Sequence, residues 1–433
     1  MHVELAFGKT GLGVDLPAGY NYQLLEAKSA QALPDADAAL EAALNNPIGT
    51  LPLRELARGK KTAAISVCDI TRPVPNRLVL PHVLRELAAG GIGIDQVLVL
   101  IATGLHRPAT EAEMREIVGP ELYGKLRVEN HHAKVLSEHR ALGSTASGIP
   151  VYIDERFMAA DLHITLGFIE PHLMLGYSGG RKLIAPGLAA QETIKVIHSP
   201  KFMRDARAIE GSIADNPLHR ELQEIARMAG HHFMIDVSLT RDRRVAGVFA
   251  GHAEQAHSKG VEFVSKTMLE LIEHPVDAVI TTSAGYPLDL TFYQTVKGIT
   301  AAQHIVKPGG RILVFSECAE GAGAPEFQEM MKRFASDKSF MDHIGGAPVT
   351  VDQWQLEKLA LVTAQKQVLF YTPGLPADFD ATLWGPRFAS PEAAISALLD
   401  GLAPGARVAV IPEGPYVLAR VGSDQPEQER QAA

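Results

Sequence analysis

Thr62–Ala102 reads TAAISVCDITRPVPNRLVLPHVLRELAAGGIGIDQVLVLIA, and its periodicity decides the fold. TAAISVC (Thr62–Cys68) and QVLVLIA (Gln96–Ala102) are short apolar runs of the buried-strand type. Between them, Asn76–Ala89 carries Leu78, Val79, Val83, Leu84 and Leu87 at helical spacing on one side. Strand, helix, strand in this order predicts a parallel sheet joined by right-handed crossovers.

The same alternation extends outward. MHVELAFGKTGLGVDLP predicts a small hairpin about a Gly-Lys-Thr-Gly turn. Thr110 and Glu113 form a capping box before a helix over Glu111–Val118, which Gly119 ends. A strand is expected over Leu162–Leu166, and a hairpin from His232–Ser238 and Arg244–Phe249. Ala253–Glu273 is expected to be helical up to the His274–Pro275 break. A second alternation then begins: strand Asp277–Thr282, helix Phe292–Val306, strands Arg311–Phe315 and Gln367–Tyr371, helix Pro391–Leu402, strand Arg407–Ile411. The expected class is α/β, with two domains (1–275 and 276–433) built on Rossmann-like, mainly parallel sheets and an active site in the cleft between them.

A chain of 433 residues exceeds the size at which one core stops growing, so two domains are also the expectation from length. A hydrophobic content of 46% with 21% charged residues is that of an ordinary globular protein. A net charge of -9 without a basic run argues against nucleic acid or an anionic membrane as the partner, while leaving room for a basic pocket that takes small anions. No run is apolar for long enough to span a bilayer, and the start lacks a secretory signal. Two cysteines, Cys68 and Cys318, suit a reducing compartment. The expected location is the cytoplasm, and the polar tail 423–433 is expected to fray.

The chemistry-bearing motifs fall where strands end. CDITRPVP (Cys68–Pro75), ATGLHRP (Ala102–Pro108) and GFIEPH (Gly167–His172) each follow an expected parallel strand, and SAGYPLDLTFYQTVKG (Ser283–Gly298) follows another. Ligands of open α/β sheets bind outside the carboxyl ends of strands. Asp69, Arg72, His106, Arg107 and His172 therefore converge although they are far apart in sequence. Gly167–His198 adds a glycine-rich turn with Lys182 and His198, residue types suited to covalent attachment and metal ligation. Bland roles stand beside these. Asp69 and Arg72 suit a helix start, His106 a solvated loop, and Gln294 with Lys297 an ordinary helix face. Gly176–Lys182 is not a nucleotide P-loop, since Arg181 precedes the lysine and Leu183 follows it. His131, His132, His163, His219, His231 and His232 read as surface or satisfied core groups, and Cys68 as a small buried hydrophobe. No pair of histidines or cysteines has zinc-site spacing.

The set CDITRPVP, GLHRP, EPHLMLGYSGGRK, His198 and YQTVKG resembles, in order and over most of the chain, the nickel-dependent lactate racemase family. The resemblance implies a pyridinium-3-thioamide-5-thiocarboxylic acid mononucleotide nickel pincer covalently attached to Lys182, with His198 completing a planar metal site. It implies His106 and His172 as an acid–base pair on opposite faces of the substrate. Arg72, Gln294 and Lys297 are implied as substrate-binding residues. Asp69, Thr71, Arg72, Ser178, Gly179, Gly180 and Tyr293 are implied to contact or support the cofactor. The implied reaction inverts C2 of a small 2-hydroxy acid by hydride transfer through a bound 2-keto acid, which avoids a carbanion beside a carboxylate. The implied partners are the cofactor-synthesis enzymes: a pyridinium carboxylase, a sulfur transferase and a nickel insertase.

Arg181 stands where the resemblance implies a small residue in lactate-specific forms. It suits either the cofactor phosphate or a second anionic group on a larger substrate such as malate. Two other functions compete with the racemase: a zinc-dependent hydrolase using His106, His172 and His198, and a carboxylate-binding protein that has lost the cofactor.

Overall fold

The computed structural model describes residues 1–28 and 30–422, so the tail 423–433 lies outside the described residues. Thr62–Ala102 folds as its periodicity predicts. Strands Ala63–Cys68 and Val97–Ala102 pair in parallel around helix Asn76–Ala89. The chain divides into two compact units, one comprising Ser29–Ile197 and Arg207–Thr267, the other Met1–Lys28, His198–Ala206 and Met268–Ala433.

The first unit is built on a six-stranded sheet. Its spatial order is Val245–Gly251, Phe233–Leu239, Leu162–Phe168, Ala63–Cys68, Val97–Ala102, Arg127–Asn130. All neighbours are parallel except the hairpin of the first two. The chain leaves Ala63–Cys68 toward one edge and later returns on its other side with Leu162–Phe168. The order reverses between these two strands, and such a switch point opens a crevice at their carboxyl ends. Ile65, Val67, Val99, Ile101, Ile164 and Leu166 form the core, covered by Val79, Val83 and Leu87 of the helix.

The second unit has a five-stranded, wholly parallel sheet ordered Gln367–Tyr371, Val306–Phe315, Val276–Thr282, Arg407–Ile411, Asn21–Leu24. Successive strand residues face opposite ways. Val279 and Ile312 pack with Val296 and Ile299 of helix Phe292–Ala302, while Ile280 and Leu313 pack with Ile395 and Leu398 of helix Pro391–Leu399.

The observed units differ from a single cut after residue 275. Asn21–Leu24 adds an edge strand to the second sheet by pairing with Arg407–Ile411. His198–Ala206 belongs to the same unit, where Met203 accepts a hydrogen bond from Lys358 Nζ at 2.9 Å and Arg204 pairs with buried Glu357 at 2.7 Å. These are long-range pairings, invisible to a local reading. The helix expected to run to Glu273 stops at Met268, because Leu269–Ile272 pairs in parallel with Leu418–Val421. The other expected elements form within a few residues of their expected limits, including the Thr110–Glu113 capping box.

Gly298, which ends the YQTVKG motif, lets helix Phe292–Ala302 sit against the end of strand Val276–Thr282. A Cβ there would run into the Thr282 carbonyl oxygen, a backbone atom that cannot swing aside. Gly298→Ala should therefore lower the unfolding free energy by about 1–3 kcal/mol, read as a lower urea midpoint; an unchanged midpoint would contradict this packing.

Candidate active site

Beyond the end of strand Ala63–Cys68 the backbone turns at once, with Arg72 N–H donating to the Asp69 carbonyl at 3.2 Å. Asp69 is buried, and its Oδ1 accepts from the Thr71 hydroxyl at 2.6 Å and the Thr71 N–H at 3.2 Å. Its Oδ2 lies 2.7 Å from Nδ1 of His106, which follows the neighbouring strand. Burial pushes the Asp69 carboxyl up, but the bonds from His106 and Thr71 and the charge of Arg72 outweigh it and hold the carboxyl below its usual range. An ionised carboxylate on Nδ1 fixes the ring's orientation and leaves Nε2 to exchange protons. The His106 side chain is about half exposed, as a proton-transfer group must be.

Across the switch point, Glu170 follows strand Leu162–Phe168 and pairs with Arg72 at 3.4 Å. His172 sits in a minimal hairpin, Pro171–His172 against Gly176–Tyr177, and its Nδ1 accepts from the Met174 N–H at 3.5 Å. Ser178 is buried and its hydroxyl is fully committed. It donates to the Phe168 carbonyl and accepts from the Glu170 N–H, both at 3.0 Å, so it ties the hairpin to the strand.

Lys182 rides on the tight turn Gly180–Leu183. Three buried contacts place that turn. Ser66 donates its hydroxyl to the Leu183 carbonyl at 2.8 Å, and Asp236 accepts from the Gly180 N–H at 2.8 Å. The third is Arg181. At Gly179, with φ +87°, a Cβ would strike the Asp236 carboxylate, so glycine is required there twice over. Burial depresses the Lys182 amine from its ordinary 10.5 to about 7, with Arg72 adding to the effect and Glu170, Cys68 and Asp69 opposing it. Cys68 stays a thiol, its pKa pushed up to about 12 by burial and the neighbouring Asp69.

Arg181 departs from both expectations set for it. Its side chain is 4% exposed. The guanidinium donates to the carbonyls of Leu175, Tyr177 and Gly179 and lies 2.7 Å from His257 Nε2. These bonds lock the loop from behind and engage both terminal nitrogens of the guanidinium within the protein.

In the other unit, His198 stacks on Trp354 with ring centroids 4.4 Å apart. Trp354 Nε1 donates to the Tyr293 hydroxyl at 3.2 Å, so Tyr293, Trp354 and His198 form one chain of contacts. Helix Phe292–Ala302 carries Gln294 and Lys297, and Gln294 Oε1 is buried without a partner among the described residues. Sequence reasoning missed Glu170, Asp236, His257 and Trp354. Glu170 lay within a quoted motif, but the others come from segments with no motif, and only tertiary contact identifies them.

An α/β unit that gathers an acid-supported histidine, a lysine of depressed basicity and a paired arginine and glutamate beyond its strand ends has the makings of a site for small polar molecules. Residues 7–211 match the lactate racemase N-terminal domain and residues 271–419 the lactate racemase C-terminal domain. The chain is 36% identical to the lactate racemase of Thermoanaerobacterium thermosaccharolyticum over 86% of its length and 88% of that protein's. It is 34% identical to the lactate racemase of Lactiplantibacillus plantarum over 88% and 90%. The solved lactate racemase apoprotein from T. thermosaccharolyticum superposes with a TM-score of 0.90 at 33% identity, over 97% of this chain and all of that one. A Thermotoga maritima protein shares the fold at a TM-score of 0.68 and 16% identity, over 91% of this chain and 100% of that one. The chain belongs to the lactate racemase family and is an isomerase.

Two outcomes follow from this geometry. Acylation of Lys182 by a small amine-directed reagent, followed by peptide mass spectrometry, should rise through about pH 7; a midpoint shared with surface lysines would refute the depressed amine. Burial raises the Asp236 carboxyl from 3.8 to about 7. The folded state thus keeps a proton that the unfolded chain releases, and stability is lost as pH rises from about 4 to about 7. Asp236→Asn, still accepting from Gly180, should escape that loss. Its thermal midpoint should gain on the wild type across this window, by up to roughly 4 kcal/mol in free energy.

Proposed function

We propose that the chain racemises lactate by proton-coupled hydride transfer, using a nickel-pincer nucleotide attached to Lys182. The observation that carries this reading is the placement of Lys182 on a glycine turn beside Asp69, Arg72 and Glu170 at the switch point, where burial lowers its amine to about 7. An ordinary surface lysine is almost wholly protonated at neutral pH, whereas a lowered pKa leaves much more of the amine as the free base that attacks an acyl or thioacyl group.

The residues present suit the group. Lys182 supplies the nucleophile for a thioamide link, and the turn brings the backbone of Gly179 and Gly180 close behind it. His198 supplies an imidazole, a donor nickel(II) accepts alongside soft ligands in planar geometry. A single protein histidine suffices when the remaining donors belong to the cofactor. A zinc hydrolase using His106, His172 and His198 would leave Lys182 without a role. When bound, the cofactor supplies a reversible two-electron hydride acceptor.

The chain's own residues do the rest. His106, oriented by Asp69, removes the substrate hydroxyl proton from one face, and His172 performs the same exchange for the opposite enantiomer. Arg72, braced by Glu170, and Lys297 hold the carboxylate so that C2 keeps its place while inverting. Gln294 offers its unpartnered Oε1 to the hydroxyl on C2. Tyr293 supports His198 through Trp354. With Arg181 committed to its own loop, the argument for a second substrate carboxylate loses its basis, so lactate is preferred to malate. The cofactor-synthesis enzymes are the partners this reading requires.

Co-expression with those enzymes should give a chain heavier by the cofactor, nickel-loaded, and able to racemise either lactate enantiomer. Lys182→Ala should lose the added mass, the nickel and the activity together. His172→Ala should keep mass and metal while turnover falls by about 100-fold or more. Undiminished racemisation by the lysine variant would sink the reading.

A further inference from the structure

Behind the turn that carries Lys182 lies a small, partly open cavity of about 60 Å³, lined in part by Arg181, His231, His252 and His257. Three of its lining residues hold buried nitrogens without a partner: Arg181 Nε, His231 Nδ1 and His252 Nδ1. Buried polar atoms are almost always satisfied, so three orphans around one cavity call for a common ligand. At His231 the atom without a partner is Nδ1. Its Nε2 lies 2.9 Å from the Thr165 hydroxyl; with that hydroxyl donating, the ring proton sits on Nδ1.

The ligand's charge follows from its surroundings. Arg181 is a buried guanidinium with carbonyl and imidazole partners, and Asp236, the carboxyl whose charge acts on it, is itself pushed toward the neutral form by burial. A buried cation whose counter-charge is weakened in this way is costly. The cavity also meets the first turn of helix Ala253–Met268, sixteen residues long, whose amino end favours negative charge. Glu254, the acid at the rim, is already engaged by Arg227 through two hydrogen bonds. A cation is disfavoured by Arg181 itself.

We propose that this cavity binds a small oxyanion through Arg181 Nε, the Nδ1–H groups of His231 and His252, and the amino end of helix Ala253–Met268, and that occupancy stiffens the turn carrying Lys182. Arg181 and Lys182 are adjacent on that turn, so an anion fixing one restrains the other. The binding claim stands apart from the tether chemistry, since it needs neither cofactor nor turnover. Inorganic phosphate and the carboxylate of lactate share the required chemistry.

The test is calorimetric titration of the full chain with sodium phosphate and, separately, sodium lactate, at ionic strength held constant with chloride. His252→Ala is the working variant, because it removes a half-buried ring and leaves the loop bonds of Arg181 intact; Arg181→Met is the second. Saturable one-to-one phosphate binding that weakens about tenfold in His252→Ala, the loss of one bond to a charged ligand, together with phosphate slowing Lys182 acylation in wild type only, supports a site for free phosphate. Lactate binding that phosphate displaces and His252→Ala weakens supports control by the substrate. Binding of neither anion, or binding and acylation rates that both variants leave unchanged, overturns the proposal.

Discussion

The buried carboxyl of Asp236 against the Gly179–Gly180 turn is the contact on which the candidate site depends. Strand Phe233–Leu239 brings this acid into the sheet's interior, where it accepts from Gly180 and excludes any side chain at Gly179. The turn must therefore be glycine, must be tight, and must deliver Lys182 at one fixed place. Burial raises the carboxyl toward neutrality, which lowers the cost of keeping it there. The same burial lowers the Lys182 amine, so one dry environment prepares both groups.

Around that turn, the sheet's topology distributes the chemistry. The reversal of strand order between Ala63–Cys68 and Leu162–Phe168 opens a crevice at their carboxyl ends. Into it come Asp69 and Arg72 from one strand end, His106 from a second and Glu170 from a third. Each charge is met by a partner from another strand end. The loops are long-range structures, held by cross-strand pairs such as Asp69 with His106 and Arg72 with Glu170.

Much of this was legible in the chain. The apolar runs Thr62–Cys68 and Gln96–Ala102 had the look of buried strands, and the helix between them followed from spacing. The motif residues His106, His172, Lys182 and His198 were visible as a resemblance and as residue types suited to the chemistry. Arg181 was misjudged because its charge suggested a ligand, while three-dimensional packing gives it four partners from its own loop and from His257. Asp236 and Trp354 were missed because nothing in their local sequence distinguishes a buried acid or a stacking ring from any other.

The sequence by itself determined the two α/β alternations, the strand-end placement of the motifs and membership of a family, because periodicity and spacing are local properties. Only the tertiary structure decided that Asn21–Leu24 and His198–Ala206 join the later unit, that Arg181 faces inward, and that burial lowers the basicity of the Lys182 amine. Those outcomes rest on burial and on pairing between distant residues, and neither exists until the chain has folded.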